Sequence, residues 1–283
     1  MQRFPKEGSS VDKEIKRVVL CADDFGMSAA IDTGIIRLAA RGRLSAASCL
    51  SRGPTFARHA PALAETGIQA GLHLNFTEAL GQPGLYLPLP ALIRRAYGRR
   101  LDGEAVRGQI LDQLEAFESV LGRAPDFIDG HQHVHQLPQI RHVLLDVLAR
   151  RFTGRSRPWL RSTRAVLRLP AGQRAKAMII QALGAAAFTR SAHRYGFHLN
   201  ARFAGVYDFR GEEAAYRRLL PNWLRHMQDG DLLMCHPAAY ADASDPLGRQ
   251  RLAEFNVLAG DEAGRWLQEN RIQARLARFG HDA

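Results

Sequence analysis

No apolar run in this 283-residue chain reaches the ~18 residues that a membrane span needs. The opening Met1-Gln-Arg-Phe-Pro-Lys-Glu7 has no apolar stretch of the secretory kind either. Cysteine is scarce. Cys21, Cys49 and Cys235 are odd in number, far apart and set among apolar neighbours, which argues against a disulfide framework and for buried thiols in a reducing compartment, the cytoplasm. Acidic residues are outnumbered, 28 against 39 basic ones, for a formal net charge of +11. A basic surface attracts nucleic acid, anionic lipid or acidic substrates. Here, however, no interleaved aromatics, zinc-knuckle cysteines or helix-turn-helix pattern accompany it. The excess is spread over helix faces, with Arg pairs at 94–95, 99–100, 150–151 and 217–218, and reads as a solvated surface with no nucleic-acid partner. Internal repeats, low-complexity linkers and clean domain boundaries are also missing. A polar leader over 1–16 followed by a single domain over 17–283 is the expected organisation.

What is present is an alternation of short apolar runs and amphipathic helices. Val18 to Ala22 is a buried strand, Ala29 to Arg41 a helix with a glycine stop at Gly42, and Leu44 to Leu50 a second strand ended by Gly53-Pro54. A helix over Phe56 to Glu65 and a strand over Ile68 to Phe76 follow. That rhythm predicts a parallel sheet built from βαβ units. Glu104 to Leu121 and Ile140 to Phe152 read as helices around a strand starting near Pro125, and Trp159 to Arg161 as a further strand. Residues 164–196 are helical in period, Val206 to Phe209 extended, Glu212 to Met227 helical and Asp231 to Pro237 a strand. Ala263 to Gln268 falls in a last helix, and Ile272 to Ala274 forms a closing strand. Between Leu80 and Gly103 the pattern lapses into a loop rich in Gly and Pro, with Leu85, Tyr86, Leu87 and Leu89 in it, leading to a short basic helix around Ile93. Loops of that length inside a compact domain are usually functional.

Four of the apolar runs end in groups of one chemical character: Asp23-Asp24, His73, His131 and His236. An isolated Asp-Asp reads as turn or helix-capping residues, and an isolated His73 between two leucines as a hydrogen-bonded core histidine. If each run is a barrel strand, however, these side chains converge on one mouth. Adjacent carboxylates repel unless a cation or proton lies between them. Two imidazoles and a carboxylate, with positions left open for water, suit a catalytic divalent metal, and nitrogen-rich ligation suits zinc or another first-row ion better than magnesium. His131, His133 and His135 alternate, which places them on one face if the chain there is extended.

Ala22-Asp-Asp-Phe-Gly-Met-Ser28, Gly71-Leu-His-Leu74, Ile128-Asp-Gly-His-Gln-His-Val-His135 and Met234-Cys-His-Pro237 together resemble the motifs of the YdjC-like carbohydrate deacetylases, the ChbG/HpnK type. Phe203-Ala-Gly-Val-Tyr-Asp-Phe209 resembles a segment near that family's substrate edge. The resemblance runs from about residue 17 to 275, with the motifs in the family's order. It implies an α/β fold, an irregular (β/α) barrel related to the polysaccharide deacetylase fold. It also implies one divalent ion, Zn2+ or Mg2+, held by Asp24, His73 and His131. In the same way Asp23 becomes the general base and His236, protonated, the general acid. His133 and His135 become substrate-side or supporting groups, and Arg161 a group that orients a carboxylate or binds substrate. A homodimer is what the resemblance suggests. Two departures from the usual pattern are Asn75-Phe-Thr77 after Gly71-Leu-His-Leu74, and Ala238 where glycine is frequent after His-Pro.

The implied reaction is removal of an N-acetyl group from an amino sugar or oligosaccharide. Two alternatives share the same motifs: hydrolysis of another amide or ester, and a catalytically silent sugar-binding protein. The presence of both an acid and a base candidate favours the enzymes. The loop from Leu80 follows the His73 strand, so its root lies at the mouth, and Tyr86 with its leucine neighbours is expected to meet the apolar face of a sugar ring.

Overall fold

The computed structural model describes residues 14–154, 156–166 and 171–274, the last of these without side chains over 171–174. Most of the expected leader, residues 1–13, therefore lies outside the described residues, as do 167–170 of the stretch 164–196. Eight strands follow one another as β1 Lys16–Phe25, β2 Ala46–Cys49, β3 Gln69–Leu74, β4 Phe127–Gly130, β5 Trp159–Leu160, β6 Phe203–Ala204, β7 Leu232–Cys235 and β8 Ile272–Ala274. The helices are α1 Ala29–Ala40, α2 Phe56–Glu65, α3 Leu89–Tyr97, α4 Gly103–Leu121, α5 Ile140–Arg151, α6 Ala171–Ala182, α7 Ala185–Arg194, α8 Glu212–His226, α9 Gly248–Ala259 and α10 Asp261–Glu269.

The sheet order is β5-β4-β3-β2-β1-β7-β6, with β8 added against the start of β1, and every pairing is parallel. Its two edges meet through isolated parallel bridges, Leu160 to Leu199 and Ala165 to Phe203. The result is an irregular (β/α) barrel whose β5–β6 seam is closed by single bridges. Edge strands of two residues are too short to make a regular ladder, and the Phe203 N–H bond to the Arg164 carbonyl (2.7 Å) is part of what replaces it. The extended segment expected at Val206 to Phe209 is instead displaced to Phe203–Ala204, because the chain turns at Gly205 (φ +100°), where a Cβ would lie 2.1 Å from the Met234 carbonyl oxygen.

Strand alternation divides the barrel. Val18, Leu20 and Ala22 face the helices and belong to the large outer core, whereas Val19 and Cys21 point inward with Ala46, Phe127, Trp159, Phe203, Leu232 and Met234. Side chains two residues apart share a face, so the next inward positions at the strand ends are Asp23, Ser48, His73, Asp129, Arg161 and His236. Apolar residues fill the barrel floor, and polar ones cap it at the carboxyl ends of the strands, where α/β barrels hold their sites. Gly71 is required by this packing: a Cβ there would sit 2.4 Å from the Phe127 ring. Among the described residues no helix is long and apolar enough to cross a membrane.

Candidate active site

Asp23 and Asp24 close β1, and both turn toward the mouth although neighbours in a strand normally face opposite ways. The backbone at Asp24 is left-handed (φ +71°), a conformation a non-glycine residue holds only where its surroundings enforce it. Here Gly26 donates its N–H to the α1 carboxylate of Asp32 at 2.6 Å, and Ser28 caps the helix by accepting the Ile31 N–H.

Asp24 meets the two expected histidines. Its Oδ1 lies 2.9 Å from His131 Nδ1 and 3.4 Å from His73 Nε2. One donor atom from each of the three residues falls within 4.8 Å of the others, and the histidine rings are 5.4 Å apart at 74°. The bonds that support the donor set suit it to a divalent ion. His73 Nδ1 is 2.6 Å from Asp129 Oδ1 and 2.9 Å from Ser48 Oγ, and Ser48 donates to the same Asp129 oxygen at 2.5 Å. Nδ1–H is thereby committed to Asp129, and Nε2 is left facing Asp24 as the nitrogen that can take a cation once its own proton is displaced, the orientation metal-ligating histidines adopt. Burial penalises the Asp24 charge, but Arg251 and His131 outweigh that and hold its carboxyl well below the usual carboxylate range, so it is an anion. Burial likewise opposes a charged His73, yet the carboxylates of Asp129 and Asp23 raise its pKa to about 10. A cage that so favours positive charge fits a cation.

Asp23 is held differently. Both its oxygens accept from the fully buried Arg161, from Nη1 at 2.6 Å and from Nη2 at 2.7 Å. The same guanidinium lies 2.5 Å from Asp129 Oδ2 and 3.0 Å from Cys21 Sγ. Of the two places expected for Arg161, its contacts are those of the carboxylate partner, and its side chain has no exposed surface.

The histidine run differs from the expected extended face. β4 ends at Gly130, and His131–Gln136 coils into a 3-10 turn with Gln132 and His133 left-handed. A side chain at position 130 would collide with the His135 backbone, 2.9 Å away, so the tight return needs glycine. The three rings are thereby sent to three places. His131 faces Asp24, and His133 is half-buried edge-on to Phe203 at 5.3 Å. His135 is fully buried, with Nε2 3.0 Å from the Arg161 carbonyl and its ring against Phe188. Burial lowers the pKa of His133 and takes that of His135 to about 4. His135 thus lies behind Arg161 with no exposed surface.

His236 follows β7, its ring packed edge-on to Phe209 at 5.0 Å, which brings the 203–209 segment to the mouth. Burial lowers its pKa to about 4, so the resting ring is neutral and not the imidazolium expected of a ready acid. Its backbone N–H donates to Glu254 Oε2 at 2.6 Å, and Tyr207 Oη donates to Glu254 Oε1 at 2.5 Å.

Tyr86 is half-buried and shares a pocket lining with Leu50, Arg52, Asn75, Leu80 and Gln113. Leu85, Leu87 and Leu89 instead pack on the outer core, so of that group only Tyr86 is left beside a pocket. Asn75, one of the departures from the family pattern, ties the loop root: its Oδ1 accepts the Thr77 and Glu78 N–H groups, each at 3.0 Å.

Sequence reasoning missed four participants. Ser48 and Asp129 were detectable as polar residues at inward positions of strands already recognised. Arg251 and Glu254 lie on α9, a helix without an apolar stripe, and their i, i+3 spacing was the only trace of a shared buried face.

A family model described as YdjC-like protein matches residues 17–269. A carbohydrate deacetylase of Mus musculus is 28% identical over 91% of this chain and 92% of its own length. A carbohydrate deacetylase of Vibrio vulnificus (strain YJ016) is 28% identical over 91% and 93%. A chitooligosaccharide deacetylase of Serratia marcescens is 32% identical over 44% of this chain and 53% of its own. Among solved structures, a provisionally named cellobiose-phosphate cleavage protein of Enterococcus faecalis V583 has the same fold, with a TM-score of 0.65 at 19% identity over 94% of this chain and 98% of that one. Since the family match runs from β1 through β7 and takes in every strand end that supplies the site, the chain belongs to the YdjC-like protein family.

Proposed function

We propose that this protein is a metal-dependent hydrolase that removes the N-acetyl group from an N-acetylated amino sugar or oligosaccharide. The observation that carries the reading is the convergence of Asp24, His73 and His131 on one point, with a second carboxylate, Asp23, 4.0 Å from His73. The names of the relatives, carbohydrate and chitooligosaccharide deacetylase, supply the substrate class.

Asp24 Oδ1, His73 Nε2 and His131 Nδ1 would hold the ion, zinc or another first-row metal being favoured over magnesium by the two nitrogens. When bound, such an ion acidifies a water and polarises an amide carbonyl. Asp23 accepts the water proton as the new C–O bond forms at the acetamide carbon. Arg161 holds both Asp23 oxygens and so keeps the carboxylate in one orientation through the step. The C–N bond then breaks only if the nitrogen is protonated. His236, neutral at rest and only partly buried, takes a proton from solvent and delivers it to the departing amine, while Asp23 returns the proton it accepted to solvent as the products leave. The products are acetate and a free amino sugar. Half-buried His133 and Tyr86, which lines a cleft with Leu50 and Asn75 just past β2 and β3, are the candidates to touch the sugar.

Acetate release from N-acetylglucosamine oligomers, measured with the ion present, after chelation and after its return, tests the reading. Release that stops with chelator and resumes with metal is expected. Release indifferent to chelator would refute the metal dependence, and none on any acetylated sugar would refute the activity.

A further inference from the structure

The three proposed ligands account for only one oxygen of Asp24. Oδ1 faces His131 and His73, while Oδ2 accepts a 2.7 Å bond from Arg251 Nη2. Arg251 is only 4% exposed, and its Nε lies 2.7 Å from Asp245 Oδ2. A guanidinium buried this deeply is stable only when paired, and here it is shared between two carboxylates.

Its helix is tied to the site in other ways. The Arg251 carbonyl accepts the Ala238 N–H at 3.1 Å, and one turn on, Glu254 accepts the His236 N–H at 2.6 Å. α9 thus fixes the backbone on both sides of Pro237 as well as the far side of Asp24, so the guanidinium cannot drift from Oδ2 without disturbing the β7 exit.

A carboxylate can bind a cation through one oxygen or through both. A catalytic site needs a position left over for water and substrate, and a two-oxygen carboxylate would take it. We infer that Arg251 is a positioning residue that restricts Asp24 to one-oxygen ligation and thereby reserves a coordination position for the reactants. The inference rests on the reading that Asp24, His73 and His131 hold the ion. It separates from a bracing role by the sign of one effect. Arg251 and Asp245 together carry no net charge, so Arg251→Met leaves an extra carboxylate near the site and frees Oδ2, and neither change repels a cation. Loss of a partner that merely braces a ligand typically costs about 10–100-fold in metal affinity.

The test is titration of chelator-stripped full-length protein with Co2+, followed by visible absorption and calorimetry. Four-coordinate Co2+ absorbs more strongly than higher-coordinate Co2+. Arg251→Met is expected to bind Co2+ within tenfold of the wild-type affinity and to absorb more weakly per bound ion. Unchanged absorption per ion, or affinity reduced more than tenfold, overturns the inference. If Arg251→Met lacks the wild-type circular dichroism spectrum, the crystal structure of the Co2+-loaded wild-type protein decides: one Asp24 oxygen on the ion with Oδ2 still bonded to Arg251 supports the inference, and both Asp24 oxygens on the ion overturn it. Wild-type protein that binds no Co2+ would instead overturn the underlying metal reading.

Discussion

Asp23 and Asp24 are adjacent in sequence and bonded to different cations, Arg161 for the first and Arg251 for the second. That division separates the effects of two substitutions that look alike. Asp24→Asn removes a proposed ligand and is expected to lose metal and activity together. Asp23→Asn is expected to keep the metal and lose roughly 10²–10⁴-fold in turnover, the usual worth of a general base. Metal analysis beside kinetics checks both, and equal loss of metal in the two variants would show that base and ligand are wrongly assigned. His73 provides a second check. In the ion-free protein its pKa lies near 10, because the Asp129 and Asp23 charges outweigh burial, so at neutral pH the ring carries a proton on both nitrogens. An ion needs the Nε2 lone pair and must displace that proton. Metal uptake at pH 7 is therefore expected to release about one proton from His73, and affinity to weaken as the pH falls. Calorimetry in buffers of different ionisation enthalpy reads the proton count, and pH-independent affinity would contradict the cage described for His73.

At the scale of elements, legibility in the sequence follows burial. β1, β2, β3, β4 and β7 each hold a short apolar run with glycine or proline at or beyond its end, and they announce themselves because their outward faces pack under helices. The site residues at their ends, Asp23, Asp24, His73, His131 and His236, inherit that clarity. Three things stay hidden. The coil at His131–Gln136 depends on left-handed Gln132 and His133, which no alternation of residue types reveals. β6 has two residues, and its place is decided by the Gly205 approach to Met234. α9 buries Gln250, Arg251 and Glu254 along with Ala253 and Val257, so it has no clean apolar stripe by which to be recognised. The loop after β3 was legible as irregular but not in its detail: Leu85, Leu87 and Leu89 cover the core and Tyr86 does not. Tyr86→Ala is accordingly expected to raise the Michaelis constant for an oligosaccharide several-fold, with metal content and melting temperature unchanged. Unaltered kinetics on chitooligosaccharides of every length would remove Tyr86 from the substrate path.

Across the whole molecule, the barrel brings together residues that the chain keeps far apart: Asp24 and His131 are 107 positions distant, Asp24 and Arg251 227. A parallel sheet with its helices outside turns every strand end the same way, which is how a few isolated polar residues become one buried charged cluster. Four anionic and cationic side chains at the centre, Asp23, Asp129, Arg161 and Arg251, are each 4% exposed or less, and such burial is sustained only by mutual pairing. The measurement that reaches the central claim most directly is anomalous diffraction from crystals of the metal-loaded protein. One anomalous peak within about 2.3 Å of Asp24 Oδ1, His73 Nε2 and His131 Nδ1 is expected, the distance at which zinc meets such ligands. A metal-loaded crystal with the ion held elsewhere, or with these three side chains turned away from it, would contradict the claim.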